Sequence, residues 1–163
     1  MKMAKTGRKY PPEMTRKKMI DWCNKAERSQ WDVRKKLQDW QIPSLERENI
    51  IAELIEMNLL NEKRYASAFA NDKSRFNRWG SAKIRAQLHA KGISERNIQD
   101  ALKEIDAGDT ALAIQQLIEK KLPSLKGLKT WQKKYKIMQY LSGKGFQRDE
   151  MENLIDQKLG NSE

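Results

Sequence analysis

Apolar residues along this chain return every three or four positions, in short runs broken by turn-forming residues, which is the spacing of helices that bury one face. The first run begins near Met14 and sets Met19, Cys23 and Ala26 inward; the second, from Gln30 to Trp40, aligns Val33, Leu37 and Trp40. Pro43 disfavours helix in the residue before it and Ser44 offers a cap, so a third helix carries Ile50, Ile51, Leu54, Ile55 and Leu59. Asn61 is the expected cap of a helix with Tyr65, Ala68 and Phe69, and Ser81 of one with Ile84 and Leu88. Gly92 suits the left-handed backbone that ends a helix, and Ser94 caps the next, with Ile98, Ala101, Leu102 and Ile105 inward. After a linker at 106–109 the pattern resumes at Thr110 with Leu112, Ile114, Leu117 and Ile118, and Pro123 and Gly127 interrupt it. A helix of Ile137 and Leu141 then stops at Gly145, before a last one bearing Met151, Leu154, Ile155 and Leu159. No useful length of chain alternates with period two, so no sheet is expected.

These runs repeat. Ile84, Leu88, Lys91-Gly92-Ile93, Ile98 and Ala101-Leu102 are matched 53 residues later by Ile137, Leu141, Lys144-Gly145-Phe146, Met151 and Leu154-Ile155. They are matched 51 residues earlier by Val33, Leu37 and Ile42 and, after a three-residue register change, by Ile50 and Leu54. Gln41 stands where the other copies have glycine, so the first turn is expected to differ. The expected fold is all-α: three tandem three-helix, helix-turn-helix-like repeats at 13–60, 61–106 and 107–160, after a disordered basic tail at 1–12. Units this small hold thin cores and offer an extended surface rather than a pocket.

Charge changes that picture from scaffold to binding surface. The 33 Lys and Arg against 22 acids give +11, the balance of a chain that meets a polyanionic or acidic partner. Between Lys73 and Lys91 there are six basic residues and no acid, and between Lys120 and Arg148 nine, again with no acid. The acids gather in the last helix of each unit, at Glu95, Asp100, Glu104 and Asp106 and at Asp149, Glu150, Glu152 and Asp156. Charge runs on small helical proteins are often only solvated faces, but recurrence at one place in two repeats favours a binding stripe.

Catalytic chemistry finds little to work with. The single Cys23, beside Trp22, reads as a core residue and the single His89 as a solvent-facing one. There is no phosphate loop, helical histidine pair or calcium loop, so no enzyme activity, metal or cofactor is expected. No membrane span or signal peptide is visible, and a cytoplasmic, monomeric protein is expected. What remains is basic residues mixed with aromatics: Arg75, Arg78, Trp79, Lys83 and Arg85; Lys133, Lys134 and Lys136 after Trp131; and Arg34 and Lys35 after Trp31. Lys and Arg can meet phosphates or carboxylates, and an exposed aromatic can stack on a base or fill a protein groove. The plainer expectation for Trp31, Trp79 and Trp131 is packing between repeats.

The run Glu62-Lys63-Arg64-Tyr65-Ala66, Phe69, Lys73, Trp79-Gly80, Lys83-Ile84-Arg85, Leu88 and Lys91-Gly92-Ile93 resembles the central signature of the RecX family of recombination regulators. Cys23, Glu27-Arg28-Ser29, Val33-Arg34 and Lys36-Leu37 agree with its first repeat, and Leu141 with Lys144-Gly145-Phe146 with its C-terminal ending. The resemblance spans about residues 14–159 and implies an elongated, curved, modular array. It also implies binding to the RecA recombinase, chiefly to its filament on single-stranded DNA. Family members lower RecA's ATP hydrolysis, strand exchange and stimulation of repressor self-cleavage, a restraint on DNA repair and the SOS response. The ten basic and aromatic residues above are the candidate contacts. A direct DNA-binding protein that tracks phosphates with its basic helices is the alternative.

Overall fold

A computed structural model describes residues 7–160, which form an all-α helical repeat fold with no strand among them. The helices are α1 (Pro12–Lys25), α2 (Gln30–Asp39), α3 (Ser44–Glu56), α4 (Glu62–Phe76), α5 (Ser81–Ala90), α6 (Glu95–Lys103), α7 (Ala107–Lys121), α8 (Thr130–Gly143) and α9 (Arg148–Gly160), with a 3-10 turn at Leu122–Leu125 before α8. The described residues group into two compact units, one of residues 7–65 with 91–93, the other of residues 66–90 with 94–160.

In the first unit, Met19, Cys23, Val33, Leu37, Trp40, Ile42, Ile50, Ile51, Leu54 and Leu60 form the core. Ala26, expected inward, is exposed, because its extended backbone (φ −165°, ψ 158°) ends α1 at Lys25. Ser44 is the first residue of α3 rather than its cap, and Pro43 before it supplies no side-chain acceptor. The cap that sequence did not single out is Ser29, whose hydroxyl accepts from Asp32 N–H at 3.0 Å while the Asp32 carboxylate accepts from Ser29 N–H at 3.2 Å. Burial pushes the Cys23 thiol up to about 11, with Arg28 opposing and Glu27 adding to the shift, so it stays protonated in the core at neutral pH.

The first turn does not differ as expected. Gln41 takes the left-handed backbone (φ 57°) without glycine, and Ile42 N–H donates to Leu37 O at 3.0 Å. Phe146 N–H donates to Leu141 O at 3.1 Å across Gly145, so both helices close with the same reverse turn. Residues 1–6 of the expected disordered tail lie outside the described residues, but residues 7–12 are ordered. Arg8 forms a two-pronged pair with Glu46 at 2.9 Å, Lys9 N–H donates to Trp40 O at 2.9 Å, and Tyr10 meets Trp40 edge-on at 5.1 Å. Burial of Trp40 creates the apolar and carbonyl surface that holds this segment.

In the second unit, α7, α8 and α9 enclose Ile114, Leu117, Ile118, Leu125, Ile137, Leu141, Phe146, Met151, Ile155 and Leu159. Asp106 is a cap, not part of a linker: its carboxylate accepts from Gly108 N–H at 2.7 Å and Asp109 N–H at 3.2 Å, starting α7 ahead of Thr110. Leu112, expected inward, points to solvent, two residues off the Ile114–Ile118 stripe. The α4–α5 loop is laid backbone to backbone on the turn after α8. Gly80 N–H donates to Lys144 O at 2.7 Å and Ala82 N–H to Gly145 O at 3.0 Å. This contact positions Trp79, next in sequence to Gly80.

Candidate functional site

Trp79 is the centre of the basic cluster in the second unit. Its N–H donates to Lys73 O at 3.0 Å, and its ring meets Phe69 edge-on at 6.4 Å. The ammonium groups of Lys73 and Lys83 lie 4.9 and 4.4 Å from the ring centroid, each contact worth about 0.5–1 kcal/mol at an exposed site. Lys73 was not among the candidates; its place four residues after Phe69 on α4 puts both on one face, a signal that local spacing carries. Arg75 is exposed at the end of α4, and Arg78 sits in the following loop with left-handed backbone (φ 51°) and donates its Nε–H to Gln116 Oε1 at 3.0 Å. No carboxylate lies within ion-pair reach of Lys73, Arg75, Arg78 or Lys83 among the described residues. Arg85, by contrast, is paired with Glu95, which also meets His89 at 2.8 Å.

On α8, Lys134 is bound between Asp156 at 2.8 Å and Glu152 at 3.4 Å, and these carboxylates hold its ammonium above the usual lysine range. Lys133 and Lys136 have no such acids among the described residues. Trp131 is 67% exposed and Tyr135 59%, so packing between repeats is overturned for Trp131. The reason is periodicity: Ile137 and Leu141 define the buried stripe, and a residue six positions before Ile137 falls on another face. Trp31 is 41% exposed for the same reason, two residues from Val33, whereas Trp79 is half-buried.

In the first unit, Arg34 pairs with Glu48 at 2.8 Å and Lys35 lies 4.9 Å from the Trp31 ring centroid. A partly buried network missed from sequence joins Lys91 to Asp32 at 2.8 Å, with Tyr65 and Trp31 each about the Lys91 ammonium at 5.5 and 5.6 Å. Its ion pair joins residues 59 positions apart, so no local pattern announces it. Burial alone would raise the Asp32 carboxyl, but hydrogen bonds from Lys91 and Ser29 outweigh it and hold it below its usual value. Because the folded pKa is depressed, this stabilisation is complete above the unfolded value, about 4, and is lost as pH falls through the folded one. Lys91→Met is therefore expected to lower stability by roughly 2 kcal/mol at pH 7, with the gap to the parent closing below about pH 4, as urea unfolding at both pH values will show.

The family model for the second three-helix domain of RecX matches residues 61–102, and that for the third matches residues 113–155, together more than half the chain. The chain belongs to the RecX family. The regulatory protein RecX of Yersinia enterocolitica is 29% identical over 109 residues, covering 67% of this chain and, at 64%, just under two thirds of its own length. That of Haemophilus influenzae strain Rd is 26% identical over 140 residues, covering 85% of this chain and 91% of its own. The crystal structure of RecX from Lactobacillus salivarius superposes with a TM-score of 0.76 at 26% identity, covering 91% of this chain and 96% of that one. RecX membership supports a regulatory role, and no described helix is long and apolar enough to cross a membrane.

Proposed function

We propose that this RecX-family chain regulates the RecA recombinase by binding its filament on single-stranded DNA, lowering ATP hydrolysis, strand exchange and stimulated repressor self-cleavage in DNA repair and the SOS response. The supporting observation is that Lys73 and Lys83 lie over the Trp79 ring and Arg75 and Arg78 line the hollow beside it, with no acidic partner within ion-pair reach among the described residues. Cations without an acidic partner among the described residues are available to carboxylates and phosphates of an assembly that presents both. In this reading the chain acts in the cytoplasm as a monomer. Its segments 13–60, 61–106 and 107–160 serve as three modest contacts on one chain, which together gain avidity without a deep pocket. Arg75, Arg78, Trp79, Lys83, Lys133 and Lys136 are the primary contacts. Arg34, Arg85 and Lys134 already hold Glu48, Glu95 and Glu152 or Asp156, and must exchange these exposed, weak pairs to take part.

A second reading, direct binding to single-stranded DNA, is favoured by one observation. Trp131 and Tyr135 are exposed four residues apart on α8, with Lys133 and Lys136 on the same helix, an arrangement that can stack bases and meet phosphates. A salt titration separates the two. Affinity for RecA filaments on oligo-dT that exceeds affinity for bare oligo-dT at every salt concentration supports the regulator. Equal affinities, falling together steeply with salt, support direct DNA binding instead.

A further inference from the structure

The Trp79 loop and the first turns of α7 enclose a small bowl of about 200 Å³, walled by Trp79, Ile105, Leu112, Ala113 and Phe146. Ligand pockets usually hold roughly 300–1,000 Å³, so this one suits a single anchoring side chain better than a cofactor. Arg75 and Arg78 stand on its lining, and the Nε–H bond to Gln116 fixes the Arg78 guanidinium there with no carboxylate within ion-pair reach among the described residues. Arg78 holds this place in a backbone conformation that L residues rarely adopt, strain of the kind concentrated at binding sites. Leu112 of its wall is 52% exposed, and Phe76, next to Arg75 in sequence, 79%, large apolar side chains left in water.

We propose that this bowl is a docking site for an acidic peptide segment of a partner protein, one apolar side chain entering between Trp79 and Ala113 while flanking carboxylates meet Arg75 and Arg78. Charge complementarity selects this occupant: two guanidinium groups face one acid, Asp109, in the lining. A nucleic-acid base could use the arginines but gains nothing from the aliphatic wall of Ile105, Leu112 and Ala113. The proposal rests on reading the second unit as a contact for a partner protein, and it names what that partner must present.

The test uses the full chain, labelled with ¹⁵N, and three blocked pentapeptides: Asp-Glu-Phe-Glu-Asp, Asp-Glu-Ala-Glu-Asp and Lys-Lys-Phe-Lys-Lys. The first is expected to shift amides at 74–79 and 109–116, and loss of its phenylalanine or reversal of its charge to weaken binding at least about fivefold. Arg78→Gly removes the guanidinium while suiting the left-handed backbone, so thermal stability should be kept or raised and peptide affinity should fall about fivefold. Asp109→Asn should strengthen binding. No shift with the acidic phenylalanine peptide, equal binding of the basic one, an unaltered affinity in Arg78→Gly, or oligo-dT alone perturbing these amides would each overturn the site. Specific peptide binding together with unchanged RecA activity would uphold the bowl and contradict the filament reading, so the two fail separately.

Discussion

Gly80→Ala is expected to destabilise the protein by about 3 kcal/mol, roughly 10 °C in Tm, although it adds a single methyl group. A Cβ at Gly80 would lie 2.3 Å from Gly145 C and 2.4 Å from both Gly145 O and Phe146 N, all backbone atoms with no flexible end to swing aside. Relief requires the loop to lift, which breaks the Gly80–Lys144 and Ala82–Gly145 hydrogen bonds and moves Trp79 with them. Gly92→Ala is the informative contrast. Gly92, unlike Gly80, has left-handed backbone (φ 73°), and nothing lies within 4 Å of its added Cβ, so only the conformational cost remains, about 1 kcal/mol. Thermal unfolding of the two variants beside the parent measures the difference, and equal losses would show that the close backbone approach contributes little.

Joint reversal of Arg75, Arg78 and Lys83 to glutamate is expected to raise the concentration needed for half-inhibition of RecA at least roughly tenfold, about 1.4 kcal/mol of binding. Among the described residues the three cations pair with no carboxylate, so their reversal leaves no carboxylate stripped of its partner and helical content should persist. Reversing Arg85 and Lys134 instead should have a smaller effect on inhibition, because Glu95, Glu152 and Asp156 already neutralise them. Circular dichroism on each variant checks the fold, and titrating RecA ATP hydrolysis checks function. Undiminished inhibition by the first variant would remove the Trp79 cluster from the contact surface.

Local pattern made the helices legible, and it did so most surely where one face is buried. Asn61 and Ser94 cap as their positions predict, accepting from Arg64 N–H at 2.9 Å and Asn97 N–H at 3.3 Å. Gly92 and Gly145 both take left-handed backbone at the expected stops. The two glycines are equivalent as stops but not in their surroundings: a Cβ at Gly145 would lie 2.5 Å from Lys83 N, 62 positions away in the chain, whereas nothing lies within 4 Å at Gly92. Gln41 was misread because left-handed backbone favours glycine without requiring it. The candidate contacts divided for a related reason. That Arg34, Arg85 and Lys134 have internal acids while Arg75 and Lys83 do not depends on which helices come side by side, and charge runs along the chain do not encode it. The exposure of Trp131 was readable after all, from its distance to Ile137 along α8.

Regulation of RecA is tested most directly by mixing the purified chain with RecA, single-stranded DNA and ATP and following hydrolysis as the chain is titrated to stoichiometric amounts. A progressive fall in the hydrolysis rate that saturates, and that persists when the DNA is kept in excess so that competition for bare strand is removed, is the predicted result. An unchanged rate across the titration, or a fall that excess DNA abolishes, would contradict it.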